Sequence, residues 1–450
     1  MEKTNLNQRL TLFSVVMIGL SIMAPGTVFS TFGITTQITE GKVPAAYAVA
    51  AIALGFTAYS YGQMVKVYPT SGSAYTYVQH SFNSHIGFLV GWALFTDYLL
   101  LPMVNYLIAG IFMSSVLPSI PTYVWILLLI GMTTIINIRG IKLVGVINTL
   151  LMVYSILVIV LFCFLSIKSV LEGTGTGSLF STSPIFESKQ SFSLILAGAS
   201  LLCFSFLGFD SITTLAEETI DATKTIPKAI FIILITGALI FIVVSYIASL
   251  VQPDFRAFTN PDAAAVEMAT MVGGNVFTSF FLGATLVGTF ASGLAAQASV
   301  SRVLLAMGRD SMLPKRFFGY VHPRLKTPIL NIVLVGAVSL LALVLSLTVA
   351  TSFINFGALV AFLFVNLSVI AHYFIRKKDS SVRGIVTYLI FPLIGAGFIV
   401  WLLSGLNVHS IILGISWTIL GVIYLMYLVK FKRMKSVSLK FDEDNTSFMD

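Results

Sequence analysis

The 450-residue chain has little charge: 10% of its residues are Asp, Glu, Lys or Arg, against 57% hydrophobic. A soluble domain carries about a quarter charged residues to cover its surface, so a water-facing globule of this length is excluded. The alternating ~10-residue strands of a β-barrel are also missing, and apolar runs approach the ~20 residues of a membrane helix instead. The class is therefore an all-α, polytopic membrane protein. Cysteine is scarce, and Cys163 and Cys203 both lie inside apolar runs, which argues against a disulfide framework. The five His residues (His80, His85, His322, His372, His409) fall in loops or near span ends without metal-ligand spacing. No phosphate-cradling loop occurs either. The chain reads as no enzyme, with neither metal nor cofactor. Its formal net charge of +8 would suggest nucleic acid in a soluble protein. Here membrane topology accounts for it, because Lys and Arg collect on the cytoplasmic side of spans. Lipid is the expected surrounding, and no nucleic-acid partner is expected.

Twelve apolar segments each come near the length needed to cross ~30 Å of hydrocarbon. The first six lie at about 12–36, 44–67, 87–116, 123–138, 145–167 and 192–215. The second six lie at about 229–251, 275–300, 329–350, 352–374, 385–406 and 410–429. The first run, preceded by Lys3 and Arg9, has no small-residue cleavage pattern and is an uncleaved span. With the N-terminus inside, only Lys42, Lys168, Lys189 and Arg256 of the 26 Lys and Arg fall outside. That asymmetry puts both termini in the cytoplasm. The chain divides into 1–168 (spans one to five), 169–378 (spans six to ten), 379–430 (spans eleven and twelve) and a polar cytoplasmic tail, 431–450.

Two spans are interrupted. Span one contains Met23-Ala24-Pro25-Gly26, where proline removes an N–H and glycine follows with little backbone preference. Span six contains Leu207-Gly208-Phe209-Asp210, a glycine beside a carboxylate at mid-span depth. Broken helices opening two halves of a chain point to an inverted-repeat transporter with a midplane site. A channel filter would more often come from a short chain assembled as a ring. Spans one to five and six to ten would form a 5+5 inverted repeat, with two helices added.

Asp97 in span three and Asp210 in span six are the acidic residues at depth, and no Lys or Arg lies at mid-span. A charge there costs about 2.5–3.5 kcal/mol on insertion scales and normally faces a cavity or a partner. A cationic substrate, protons, or both would match this pair. Asp97, Leu101 and Asn105 share one helical face, with Tyr98 beside it. Trp92, Tyr98, Tyr106, Phe204, Phe206 and Phe209 offer cation–π surface, with Tyr98 and Phe204 the strongest candidates. The substrate-binding set is Met23, Ala24, Pro25, Gly26, Asp97, Tyr98, Phe204, Leu207, Gly208 and Asp210. Glu217 and Glu218 at the cytoplasmic end of span six, with Thr289 and Ser292 of span eight, are candidates for coupling or gating. Thr285, Thr289 and Ser292 offer hydroxyls to Na⁺, while protonation of a buried carboxylate is equally open.

The chain resembles the amino acid–polyamine–organocation transporters, and among them the bacterial putrescine importers. The resemblance covers nearly the whole chain. It rests on TVFSTFGI (27–34), VPAAY (43–47), DYLLLPMVN (97–105), CFSFLGFDSITTLAEET (203–219) and INFGALVAFLFVNLSV (354–369), among others. It implies a twelve-span LeuT-like fold in a bacterial cell (inner) membrane. It also implies ion-driven uptake, with substrate held between spans one, three, six, eight and ten, and it favours protons as the coupling ion. Gln297 stands where the resemblance expects His. Tyr106 stands where a small residue is more usual, and would narrow the site or change the preferred chain length. Pro25 lacks the N–H that a carboxylate-binding nest would use. Paired Asp97 and Asp210 suit a molecule with an ammonium at each end, so the expected substrate is putrescine or another polyamine. A permease for neutral or cationic amino acids, with Asp97 structural, is the alternative.

Overall fold

The computed structural model describes residues 10–431 except 71, 140–143, 186–191, 310–312, 324 and 326. Of the tail expected at 431–450, Phe431 ends the last helix and the rest lies outside the described residues, as do Lys3, Arg9, Lys142, Lys189, Arg324 and Lys326 among the cations counted by side.

Among the described residues the fold is helical, with one isolated bridge between Leu10 and Thr219. A backbone in hydrocarbon must satisfy its polar groups within its own segment, which selects helices. In chain order they are α1 (Leu12–Met23), α2 (Thr27–Ile38), α3 (Val43–Val67), α4 (Ser73–Ser81), α5 (Ser84–Val116) and α6 (Thr122–Arg139). Next come α7 (Val144–Leu171), α8 (Phe192–Phe206), a 3₁₀ segment (Ser211–Glu218), α9 (Ala222–Val251) and α10 (Ala264–Arg309). The last are α11 (Lys315–Phe318), α12 (Ile329–Ser339), α13 (Leu347–Val369), α14 (Val382–Ile385), α15 (Phe391–Ser404) and α16 (Val408–Phe431). Among the described residues ten helical segments are long and apolar enough to cross a membrane, and the bent pair α1/α2, taken as one span, makes an eleventh.

Both expected breaks are present. Span one bends by 42° between α1 and α2, where Ala24 takes a left-handed conformation at φ 47°. Span six stops being α-helical at Phe206, passes Gly208 at φ 119°, and resumes as the 3₁₀ segment.

Two span boundaries and one additional helix depart from expectation. Span nine, expected to reach 350, is α12 of 11 residues plus a 4-residue 3₁₀ turn ending at Leu343. That is shorter than the ~20 residues of a full crossing. The apolar run continues through the turn, so hydropathy does not see it. The turn is set by Ser346, whose side chain caps α13 by accepting from the Val349 N–H. Span eight begins at Ala264, before the expected 275, and kinks at Gly274, where φ is 64°. Helix α4 was not expected, since SAYTYVQHS carries too little apolar character to register as a span.

Helix α3 lies along α9, α5 is flanked by α10 and α13, and α10 packs on α7. Helix α1 packs on α9, and α8 packs on α3. Interior amides cross-link these helices. Asn355 of α13 donates to the Ser200 and Leu201 carbonyls of α8, each at 2.9 Å. Asn366 joins α13 to Thr57 and Ser60 of α3. Leu157, Phe164, Leu239, Val400, Ile419 and Met426 leave apolar side chains exposed on the outside of the bundle, as a lipid-facing surface requires.

Candidate functional site

The two breaks lie against each other. A Cβ on Gly208 would fall 2.8 Å from the Met23 nitrogen and 3.0 Å from Ile22 Cγ2. The end of α1 therefore occupies the space that Gly208 leaves empty. On the same interface, Ile212 of the 3₁₀ segment fills the space beside Gly19, and the Met23 side chain reaches Gly237 of α9.

Asp210 hangs from this junction, fully buried. One carboxylate oxygen accepts from the Gly208 N–H at 3.3 Å, and the other accepts from the Tyr98 hydroxyl at 3.5 Å. Asp97 is 1% exposed, and its Oδ1 has no hydrogen-bond partner. Asp97 directly precedes Tyr98, whose hydroxyl bonds Asp210, so both acids lie at the contact between α5 and the break in span six. Among the described residues neither forms an ion pair with Lys or Arg; the pair seen is Lys168–Glu172, at the surface. An orphaned, buried carboxylate oxygen calls for a missing partner, since such groups are almost always satisfied. Cations or protons are the partners that repay its desolvation.

Beside the first break lies a cavity, lined by Ala24, Pro25 and Gly26, Asn105 of α5, Ser155 of α7, and Thr285 and Thr289 of α10. Thr285 and Thr289 donate their hydroxyl protons to carbonyls of their own helix, Phe281 at 3.0 Å and Thr285 at 2.8 Å. Their oxygens remain acceptors. Asn105 donates to Ser292 Oγ at 3.1 Å and to the Leu101 carbonyl at 3.0 Å. Asp97 and Asn105 are eight residues apart on one helix, about 12 Å along its axis.

The sequence-derived residues thus fall into two neighbourhoods. Ala24, Pro25, Gly26 and Thr289 line the cavity, with Ser292 behind Asn105. Asp97, Tyr98, Gly208 and Asp210 form the carboxylate cluster, and Met23 joins the two through its contact with Gly208. Phe204 and Leu207 are buried in the core around the break. The side chains of Glu217 and Glu218 lie outside the described residues. The cavity is bounded by spans one, three, five and eight, so spans six and ten, named by the resemblance, contribute nothing to its lining.

Several aromatics do other work. Trp92 stacks on Trp417 with centroids 4.9 Å apart, and each indole N–H donates to the other's carbonyl. Phe206 meets Tyr47 and Phe241. Tyr106, expected to narrow the site, instead bonds Thr133 at 2.7 Å and fills the space beside Gly293. Gln297 is held between Asn137, Thr134 and the Ile332 carbonyl, tying α6, α10 and α12 together.

Sequence reasoning missed Tyr61, Tyr77 and Ser73, which join Thr213 beside the break; the Thr213 hydroxyl also bonds the Asp210 carbonyl at 2.7 Å. Thr213 donates to Ser73 Oγ at 3.0 Å, and Ser73 sits at φ 50°, where a non-glycine residue is strained. The available signal was the cluster of small and hydroxyl residues Gly72-Ser73 and Tyr75-Thr76-Tyr77 in a stretch otherwise read as a loop.

The amino acid permease family matches residues 14–438. The chain is 44% identical over 430 residues, 95% of each chain, to the low-affinity putrescine importer PlaP of Escherichia coli (strain K12). It is 26% identical over 464 residues, 96% of this chain and 95% of the relative, to the branched-chain amino acid permease BcaP of Bacillus subtilis (strain 168). The methylthioribose transporter of the same organism is 25% identical over 457 residues, 95% of this chain and 94% of its own. With a family match running nearly end to end and a relative this similar over its full length, the chain belongs to the amino acid permease family.

Proposed function

We propose that this protein is a secondary active importer of a small organic diamine, putrescine foremost, working by alternating access in a bacterial inner membrane. The carrying observation is the pair of buried carboxylates, Asp97 and Asp210, without a resident cation among the described residues. A diamine brings a positive charge for each. The identity with a putrescine importer points the same way. Pro25, at the rim of the cavity, cannot donate the N–H that a substrate carboxylate would need.

The architecture we infer is twelve spans in a LeuT-like arrangement, with 1–168 and 169–378 as inverted repeats and 379–430 added. The helix neighbours support it. Span one packs on span seven as span six packs on span two, and span three packs on span ten as span eight packs on span five. Exchanging the halves reproduces the pattern. Both termini are cytoplasmic in this reading, from the distribution of Lys and Arg. Met23, Phe204, Leu207 and Gly208 shape the substrate site around Asp210 and Tyr98. The cavity oxygens of Thr285 and Thr289, with Ser292 nearby, serve coupling. Protons drive import, carried by a buried carboxylate; these same neutral oxygens would hold Na⁺ if that ion were used. Glu217 and Glu218 gate the cytoplasmic end.

Purified protein in proteoliposomes tests this. Saturable uptake of labelled putrescine, competed by unlabelled diamine and driven by an inward proton gradient, is expected. Competition by amino acids but not by diamines would replace the substrate assignment, and dependence on a Na⁺ gradient would replace the coupling ion.

A further inference from the structure

Tyr61 of α3 and Tyr77 of α4 are both fully buried, and neither hydroxyl has a hydrogen-bond partner. Tyr61 lies beside Ser73 and Tyr77 beside Thr213, but neither contact has the geometry of a hydrogen bond. Unsatisfied phenols in a helix interior cost stability, and two side by side require a reason. Their rings are well placed. Tyr61 meets Tyr77 and Phe209 edge-on, each with centroids 6.0 Å apart, and Phe362 at 5.8 Å. Phe209 adjoins Asp210 in sequence, and Tyr61 lies within electrostatic reach of Asp210 and Tyr98.

The position of the cluster gives it direction. Tyr61 is six residues from the end of α3 at Val67, about 9 Å along the axis. Ser73 opens α4, in the connection from α3 to α5. This is the end of the bundle where Leu10 pairs with Thr219, cytoplasmic in the proposed orientation. A substrate leaving Asp210 toward the cytoplasm meets this cluster first.

We propose that Tyr61, Tyr77, Ser73 and Thr213 form a second ammonium station, through which an alkylammonium substrate passes on its way from Asp210 to the cytoplasm. The inference rests on the import reading above. Phenol and hydroxyl oxygens accept ammonium N–H groups, and the Tyr61, Tyr77 and Phe209 ring system supplies cation–π attraction. None of the four residues carries a negative charge, so the station holds an ammonium more weakly than Asp210 does. That ordering suits release, since a site on an exit path must bind well enough to enter and weakly enough to leave.

Tyr61→Phe, Tyr77→Phe and the double variant test it, each reconstituted in proteoliposomes for labelled putrescine uptake and assayed for thermal unfolding. Removing an unpaired hydroxyl leaves the ring packing intact, so the unfolding temperature should hold or rise. The maximal uptake rate of the double variant should fall about ten-fold, the loss expected for a hydrogen bond to a charged group. The external KM should stay within about two-fold, because outward-facing binding at Asp210 is untouched. A double variant that transports at the wild-type rate overturns the station. So does a rate loss that only parallels a lower unfolding temperature, or a rise in KM matching the loss in rate. Wild-type protein that moves no amine at all fails the import reading itself. A working wild type with unaffected variants fails the station alone.

Discussion

At the scale of single residues, the two acids differ in what holds them. Asp210 is oriented by the Gly208 N–H and the Tyr98 hydroxyl, while Asp97 keeps an oxygen with no partner. In the proposed site the first is the anchor and the second has an oxygen left for a ligand. Losing a charge partner in a desolvated site costs about 2–5 kcal/mol, roughly 30-fold or more in affinity. Asp210→Asn is therefore expected to abolish putrescine binding in calorimetry; binding at wild-type affinity would remove Asp210 from the site. Both acids were legible in the sequence because a carboxylate inside an apolar run is expensive and conspicuous. Tyr61 and Tyr77 were not, since aromatics make up 12% of the chain and most serve packing. What sets these two apart is an unpaired oxygen, which appears only once the neighbours are in place.

At the scale of elements, the breaks in spans one and six work as one joint. Gly208 combines a φ of 119° with a gap that the Met23 backbone fills. Gly208→Ala must strain the backbone by about 1–3 kcal/mol and also push α1 away from α8. The expected result is a lowered unfolding temperature together with lost uptake. Gly131→Ala, in α6 with nothing within 4 Å of the added carbon, should leave both intact or improve stability. Equal effects of the two substitutions would show that the joint has no special role. Pro25, Gly208 and Asp210 announced these breaks. The turn between α12 and α13 stayed hidden inside a continuous apolar run, with only Ser346 to mark it. The kink at Gly274 was hidden for a similar reason, because one glycine among many gives no sign of taking φ 64°.

At the scale of the whole molecule, the helix contacts keep their pattern when the two halves are exchanged, and the proposed orientation puts the Lys- and Arg-rich loops in the cytoplasm. Exposed positions in the loops make this testable. In a background free of Cys163 and Cys203, cysteine at Phe180 or Arg256, both exposed, should react with an impermeant thiol reagent added to whole cells. Cysteine at Lys378 or Val382, also exposed, should react only after the membrane is opened. External labelling at Val382 would overturn the span map. The helical class and most of the spans were readable from hydropathy, although ten or eleven candidate spans stand among the described residues where twelve were expected. The separation of the cavity from the carboxylate cluster was not, because it depends on how α5 presents Asp97 and Asn105 about two turns apart.

In the proposed site a diamine is held at both ends, by Asp210 and by Asp97. Calorimetric titration of Asp97→Asn with putrescine and with butylamine measures it most directly. Only the diamine needs the second carboxylate, so putrescine should weaken by about 30-fold or more while butylamine changes far less. An equal loss for both amines would contradict the two-ended site.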